Sequence, residues 1–450
     1  QTCALPILTG TGVDASTISR TTTTDASGNF RFDDLPAATA AGYVLTEQSA
    51  QPSVTVLSSS VTTLNGITSA GTGAGTASGV NTTPSNINGI AVSAGAIVTG
   101  NLFAEVLPVS MSGRVFVDVA NDGVFSGGTD SGIAGQTVTL TGTDDLGGAV
   151  SRNLTTAADG TYAVTDLRPG TYTLTQPNQP AGTANGITTA GSGGGTATAP
   201  TVTPSVIAGV VLTTPGAASN NNLFAEIPAN GSITARVWLD ANNNGVIDAG
   251  EAGIANVTVN LSGTLANGNT FAANTVTDAN GNASFTGLAQ GSYALTEPTQ
   301  PAGTLNGRTI AGTAGGTATA PAATPSAVTG IVLGANQAAS GYLFGEIAPA
   351  TISGRVFDDM ANDGAFNPPV DVGFAGNPIV LTGTNDLGVA INVTTTTATD
   401  GSFSFIDLRP GSYTLTQPTQ PLGRVNGVTA AGSIGGVTSG SATGVNTLPS

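Results

Sequence analysis

The chain has 450 residues, 64 of them glycine, and carries 27 acidic against 10 basic side chains, a formal charge of −17. All the cations are arginine, lysine and histidine are absent, and Cys3 is the single cysteine; this excludes a Ser-His-Asp triad, a Schiff-base or P-loop lysine, a histidine-bound zinc and an intrachain disulfide. An acidic chain is repelled by phosphate backbones and anionic bilayers, so nucleic acid and membrane surfaces are not expected partners, yet 39% hydrophobic residues are too many for a disordered acidic tail.

No apolar run reaches the roughly 18 residues of a spanning helix, so membrane insertion is not expected within this stretch. Residues 1–7, QTCALPI, read as the translation of a sequencing adapter and are set aside, Cys3 with them. Internal repetition dominates the rest. LF-x-E recurs at Leu102, Leu223 and Leu343. SGRVF at Ser112 and Ser353 brackets SITARVW at Ser232. DLRPGTYTLTQPNQPAG at Asp166 returns at Gly287 and Asp407, with a weaker copy from Asp33. Four units follow: 1–109, truncated at its start; 110–230; 231–350; and 351–450, truncated at its end. Both end units read as cut, as expected of a fragment. The first is also longer than its siblings between Leu35 and Phe103.

Within each unit threonine and valine are heavily used, as pleated strands favour. Tyr293 and Leu295 alternate with Ala294 and Thr296, and Val257, Val259 and Leu261 repeat the period of two. No stretch sustains a helical period. The third unit is predicted to form strands near 232–239, 256–262, 270–277, 283–286, 291–297, 306–311, 326–333 and 341–347, a β-sandwich pattern. The fold class expected is all-β: tandem sandwich domains arranged end to end. The Gly/Ala/Thr-rich stretch 311–325 is expected to be a surface loop inside its domain, since an apolar strand follows it.

One motif carries chemistry. DANNNGVIDAGE, residues 240–251, has the spacing of a twelve-residue calcium loop. Asp240, Asn242 and Asn244 take positions 1, 3 and 5. Gly245 permits the bend, Val246 offers a carbonyl, Asp248 takes position 9 and Glu251 closes the loop. The second and fourth units hold weaker versions: Asp118, Asp122 and late Asp130, then Asp359, Asp363 and late Asp371, with Ala120 and Ala361 at position 3. An Asx-rich turn without metal is the alternative, because Asn, Asp and Gly favour turns on their own. Glu105, Glu226 and Glu346 are expected to be solvated strand ends, or else ligands at a domain junction. Arg114, Arg236, Arg355, Arg168 and Arg409 are expected at surfaces or sheet edges. Phe116, Trp238 and Phe357 are expected to pack.

GRVF or ARVW, then D-x-N-x-N-G-x-x-D-x-x-E, then YTLTQP and LF-x-E, resemble the B-repeat domains of bacterial serine–aspartate repeat surface proteins, the SdrD B-like domains. The resemblance implies a prealbumin-like, Ig-like sandwich related to collagen-adhesin B-type domains. It also implies Ca2+ at Asp240, Asn242, Asn244, Val246, Asp248 and Glu251, and a non-enzymatic spacer on a secreted or cell-surface, adhesin-like bacterial protein. Some relatives close a Lys–Asn isopeptide bond, which a lysine-free chain cannot make. Partners expected are calcium, neighbouring repeats of the chain, and a host or matrix protein or glycan. The rival reading is a glycan- or protein-binding module using the loops near 184–206 and 305–325.

Overall fold

The computed structural model describes residues 5–48, 51–56, 59–434, 437–438 and 440–443; Cys3 and most of the adapter-like start lie outside them. Every regular element among the described residues is a β-strand. Four separate hydrophobic clusters form, one within each sequence repeat. The chain divides into two units, residues 1–230 with the turn 266–269, and 231–265 with 270–450.

In the second unit, repeat three is the most complete sandwich. One sheet runs Asn282–Leu288, Gly231–Leu239, Ala338–Ile347, Leu305–Ile310; the other runs Thr270–Val276, Thr258–Leu265, Gly291–Glu297, Ser326–Leu333, Thr317–Ala318. Gly231–Leu239 and Ala338–Ile347 pair in parallel, and the pairings around them are antiparallel. Inward residues from both sheets, among them Val237, Leu261, Phe285, Tyr293, Leu295 and Phe344, form one core, each side chain contributing about 1.5–3 kcal/mol by leaving water. The alternation read from sequence is this inward–outward pleat. Asn256 adopts a left-handed φ of 60°, so the strand expected from 256 begins at Thr258 instead. The Gly-rich stretch is stitched to its sheet by Thr317–Ala318, which pairs with Thr329 and Val328.

Repeat four has the sheet Ala390–Thr396, Pro378–Asn385, Gly411–Thr416 and the pair Ala350–Arg355 with Ser402–Leu408. In the first unit, repeat two follows the same plan as repeat three, with Val109–Val117 and Ala218–Pro228 as its parallel pair. Repeat one keeps the five-stranded sheet, with Tyr43–Thr46 at its centre, and the pair Leu64–Ser69 with Leu102–Val106. Its extra length is a hairpin, Ser53–Val56 with Ser59–Thr62.

One device recurs in all four repeats. A strand glycine lies beside a tyrosine ring: Gly10 at Tyr43, Gly142 at Tyr172, Gly263 at Tyr293, Gly383 at Tyr413. A Cβ at Gly263 would lie 2.7 Å from the Tyr293 ring and 2.5 Å from the Ser292 carbonyl. The small residue makes room for the aromatic that fills the core.

Candidate metal centre

The calcium-type loop of repeat three leaves strand Gly231–Leu239 and is tied to the sandwich at once, the Asp240 N–H donating to the Glu346 carbonyl (2.7 Å). Asp240 is fully buried. Its carboxylate faces into the loop, accepting from the Asn244 N–H (3.0 Å) and the Gly245 N–H (2.8 Å). Gly245 sits at φ 78° and Asn243 at 54°, the left-handed pair that bends the loop. Asn242 and Asn244 both donate side-chain amides to Asp248 (2.9 and 2.7 Å). Glu251 closes the loop, accepting from the Ala241 and Asp248 N–H groups (2.9 Å each) and from the Trp238 indole (3.2 Å). Val246 is exposed.

All six sequence-predicted residues therefore lie on one turn, and every candidate ligand atom is a hard oxygen, as calcium requires. Among the described residues no three acids gather into one metal-holding group. Asp240, Asp248 and Glu251 are instead held by the loop's own N–H donors. The equivalent loop of repeat two supplies a further sign: Asp118 is buried, its Oδ2 accepts from the Gly123 N–H (2.7 Å), and its Oδ1 is buried without a partner. A cation would satisfy that oxygen.

The weaker loops share the backbone of the full one. Gly123 and Gly364 have φ of 74° and 76°, and Asn121 and Asn362 both 53°. Asp359 accepts from the Asp363 and Gly364 N–H groups (3.1 and 2.7 Å). Asp122 and Asp363 are exposed on the turn, each accepting from the N–H two residues on. The late acids do the work of Glu251: Asp130 accepts from Val119 and Ser126 (3.1 and 2.8 Å), and Asp371 from Met360 and Asn367 (3.0 and 2.7 Å). An aspartate, one methylene shorter, closes the loop from one residue further along.

Two expectations are corrected. Glu226 and Glu346 are fully buried, not solvated strand ends. Glu226 accepts from the Gln176 amide (2.6 Å) and from Gln179; Glu346 accepts from Gln300 and from Thr304 (3.1 Å). Strand pairing buries them, because LF-x-E lies between two partner strands. Arg168 is also buried, at 7% exposure, and bonds across repeats rather than lying at an edge. Arg114 and Arg355 stack over Phe125 and Phe366, centroids 3.7 and 4.2 Å away. Phe116 and Trp238 are fully buried, as packing requires.

The model of the SdrD B-like domain matches residues 109–225 and 231–340, just over half of the chain. The chain belongs to this family. Serine-aspartate repeat-containing protein D of Staphylococcus aureus (strain Newman) is 29% identical over 289 residues, covering 63% of this chain and 20% of that protein. Serine-aspartate repeat-containing protein F of Staphylococcus epidermidis is 27% identical over 402 residues, covering 87% of this chain and 21% of its own length. The chain thus spans about a fifth of these relatives. Among solved structures, the streptococcal ancillary pilin aligns with 73% of the chain and 97% of its own at 13% identity, but a TM-score of 0.27 supports no inference. The SdrD B-like repeats are structural domains, and the chain is not an enzyme. Among the described residues no helix is long and apolar enough to cross a membrane.

Proposed function

We propose that the chain is a spacer segment of a bacterial cell-surface or secreted adhesin-like protein, built of four tandem β-sandwich modules and stabilised by Ca2+. The loop 240–251 carries this reading. Its six oxygen donors follow calcium-loop spacing, its first ligand, Asp240, is buried facing inward, and its last, Glu251, is anchored to the core through Trp238. An ion bound there would neutralise clustered carboxylates and join the two ends of the loop. Asp118, Asp122 and Asp130, and Asp359, Asp363 and Asp371, are weaker sites of the same kind. The relatives support the surface setting. The partners we assign are calcium and neighbouring repeats; an adhesive contact with a host or matrix protein or glycan would belong to the longer protein.

Thermal unfolding of the full chain tests it. Calcium binding only the folded form should raise the melting temperature, the stabilisation reaching about 2.7 kcal/mol at a hundredfold excess over Kd. Asp240→Ala should remove the largest part of that shift. Identical melts in calcium and in chelator would refute the calcium role.

A further inference from the structure

Two arginines outside the loops make the same unusual set of bonds. In the first unit, Arg168 holds Asp145 of its own repeat with Nε (2.7 Å) and Nη2 (3.1 Å), and Nη1 donates to the backbone carbonyl of Asn65 in repeat one (2.6 Å). In the second unit, Arg409 holds Asp386 with Nε (2.7 Å) and Nη2 (2.9 Å), and Nη1 donates to the carbonyl of Asn306 in repeat three (2.7 Å). The guanidinium is desolvated in both places, its side chain 7% and 12% exposed.

The bonds run into the framework on both sides. Tyr172 and Tyr413 donate their hydroxyls to the Arg168 and Arg409 carbonyls, and the Asp145 and Asp386 N–H groups donate to Pro169 and Pro410 (2.7 Å each). The arginine is thus fixed by its own core. On the accepting side, the Asn65 and Asn306 side chains are occupied inside their own repeats, donating to the Thr82 and Ala323 carbonyls and bonding Ser85 and Ser326. The backbone oxygen of each asparagine accepts from the next repeat's arginine, and in the second unit the Asn243 side-chain amide of repeat three also crosses to Asp386 (2.6 Å). Repeat three has lost the arginine and the aspartate together, with Ala289 and Ala266 in their places. Within the first unit, the equivalent carbonyl, that of Asn185, instead receives the side-chain amide of Asn267 on the turn 266–269 (2.6 Å). The acceptor is kept while the donor changes.

We propose that this Arg–Asp pair is the docking element by which one repeat grips the repeat before it, its partner being the backbone carbonyl of the asparagine in the preceding repeat's Asn-Gly strand. The fork geometry suits the role: two N–H groups satisfy the carboxylate and a third is left for the carbonyl. The inference rests on the spacer reading, to which it adds the joint; none of the bonds made by Arg168 or Arg409 falls on an acidic-loop residue, while in the second unit Asp386 also accepts from the side-chain amide of Asn243 in the loop 240–251.

The test uses the full chain with Cys3→Ser and spin labels at Asn274→Cys and Thr394→Cys, exposed sites at matching positions of repeats three and four. Pulsed dipolar distances are read in calcium and in chelator. The unaltered joint should give one narrow distance distribution. Arg409→Ala should lose it, and Arg409→Lys should too, because one ammonium cannot hold both partners; Arg409→Lys decides the matter if Arg409→Ala melts repeat four. Narrow distributions in the folded variants would overturn the grip. A calcium-insensitive melt beside arginine-dependent narrowing would remove the calcium role and leave the grip standing.

Discussion

Buried acids are the costliest residues in this chain, and the repeats treat them differently. The same pair of positions holds Glu47 with Glu105, Gln176 with Glu226, and Glu297 with Glu346. An amide can donate to a buried carboxylate, whereas two acids need a proton between them. Burial, partly offset by the Thr63 hydroxyl and reinforced by Glu47, pushes Glu105 up to about 7. The folded chain then keeps a proton that the unfolded chain releases above about 4.5. This contribution to stability is full below that pH, falls as pH rises toward 7, and is lost above it. The Glu47→Gln variant, which gives repeat one the amide of repeat two, should show a shallower fall of stability across this window in urea titrations run in chelator. An unchanged slope would contradict the shared proton. Such pairing was not legible in the sequence: the two acids are distant along the chain, and a strand-end glutamate reads as solvated until the strands on either side are known.

Among elements, the strands were the most readable part. Six of the eight expected in repeat three lie within about two residues of those observed, because period-two alternation reports the pleat directly. The boundaries that moved did so for local reasons, such as the left-handed Asn256. Less readable was the strand glycine beside each tyrosine, since an isolated glycine looks like punctuation until its cross-strand neighbour is known. Gly263 pairs with Tyr293 across the sheet. Gly263→Ala should destabilise repeat three by about 1–3 kcal/mol through overpacking, measured as a lower urea midpoint with an unchanged slope. A midpoint equal to the parent's would show that the ring yields easily. The acidic turns were legible as turns, because the Asx and glycine spacing that bends them is local. What their spacing concealed was that a late aspartate closes the loop through the same backbone donors as Glu251.

At the scale of the whole molecule, four small cores among the described residues replace one large one. The sequence made the repetition plain. It could not show the joints: Arg168 and Asn65 belong to different repeats, and nothing near either residue announces the other. A charge of −17 on such a chain favours solubility and opposes compaction, which cations offset. Binding at the acidic loops would therefore serve both the individual module and the array. The chain contains a single tryptophan, Trp238, whose indole donates to the last residue of the full calcium-type loop. Terbium, a luminescent stand-in for calcium, emits strongly when an excited indole lies beside it. Titration of the full chain with terbium under tryptophan excitation should give saturable emission that calcium displaces and that Asp240→Ala abolishes; absence of sensitised emission, or emission indifferent to calcium and to that substitution, would contradict an ion held between Asp240 and Glu251.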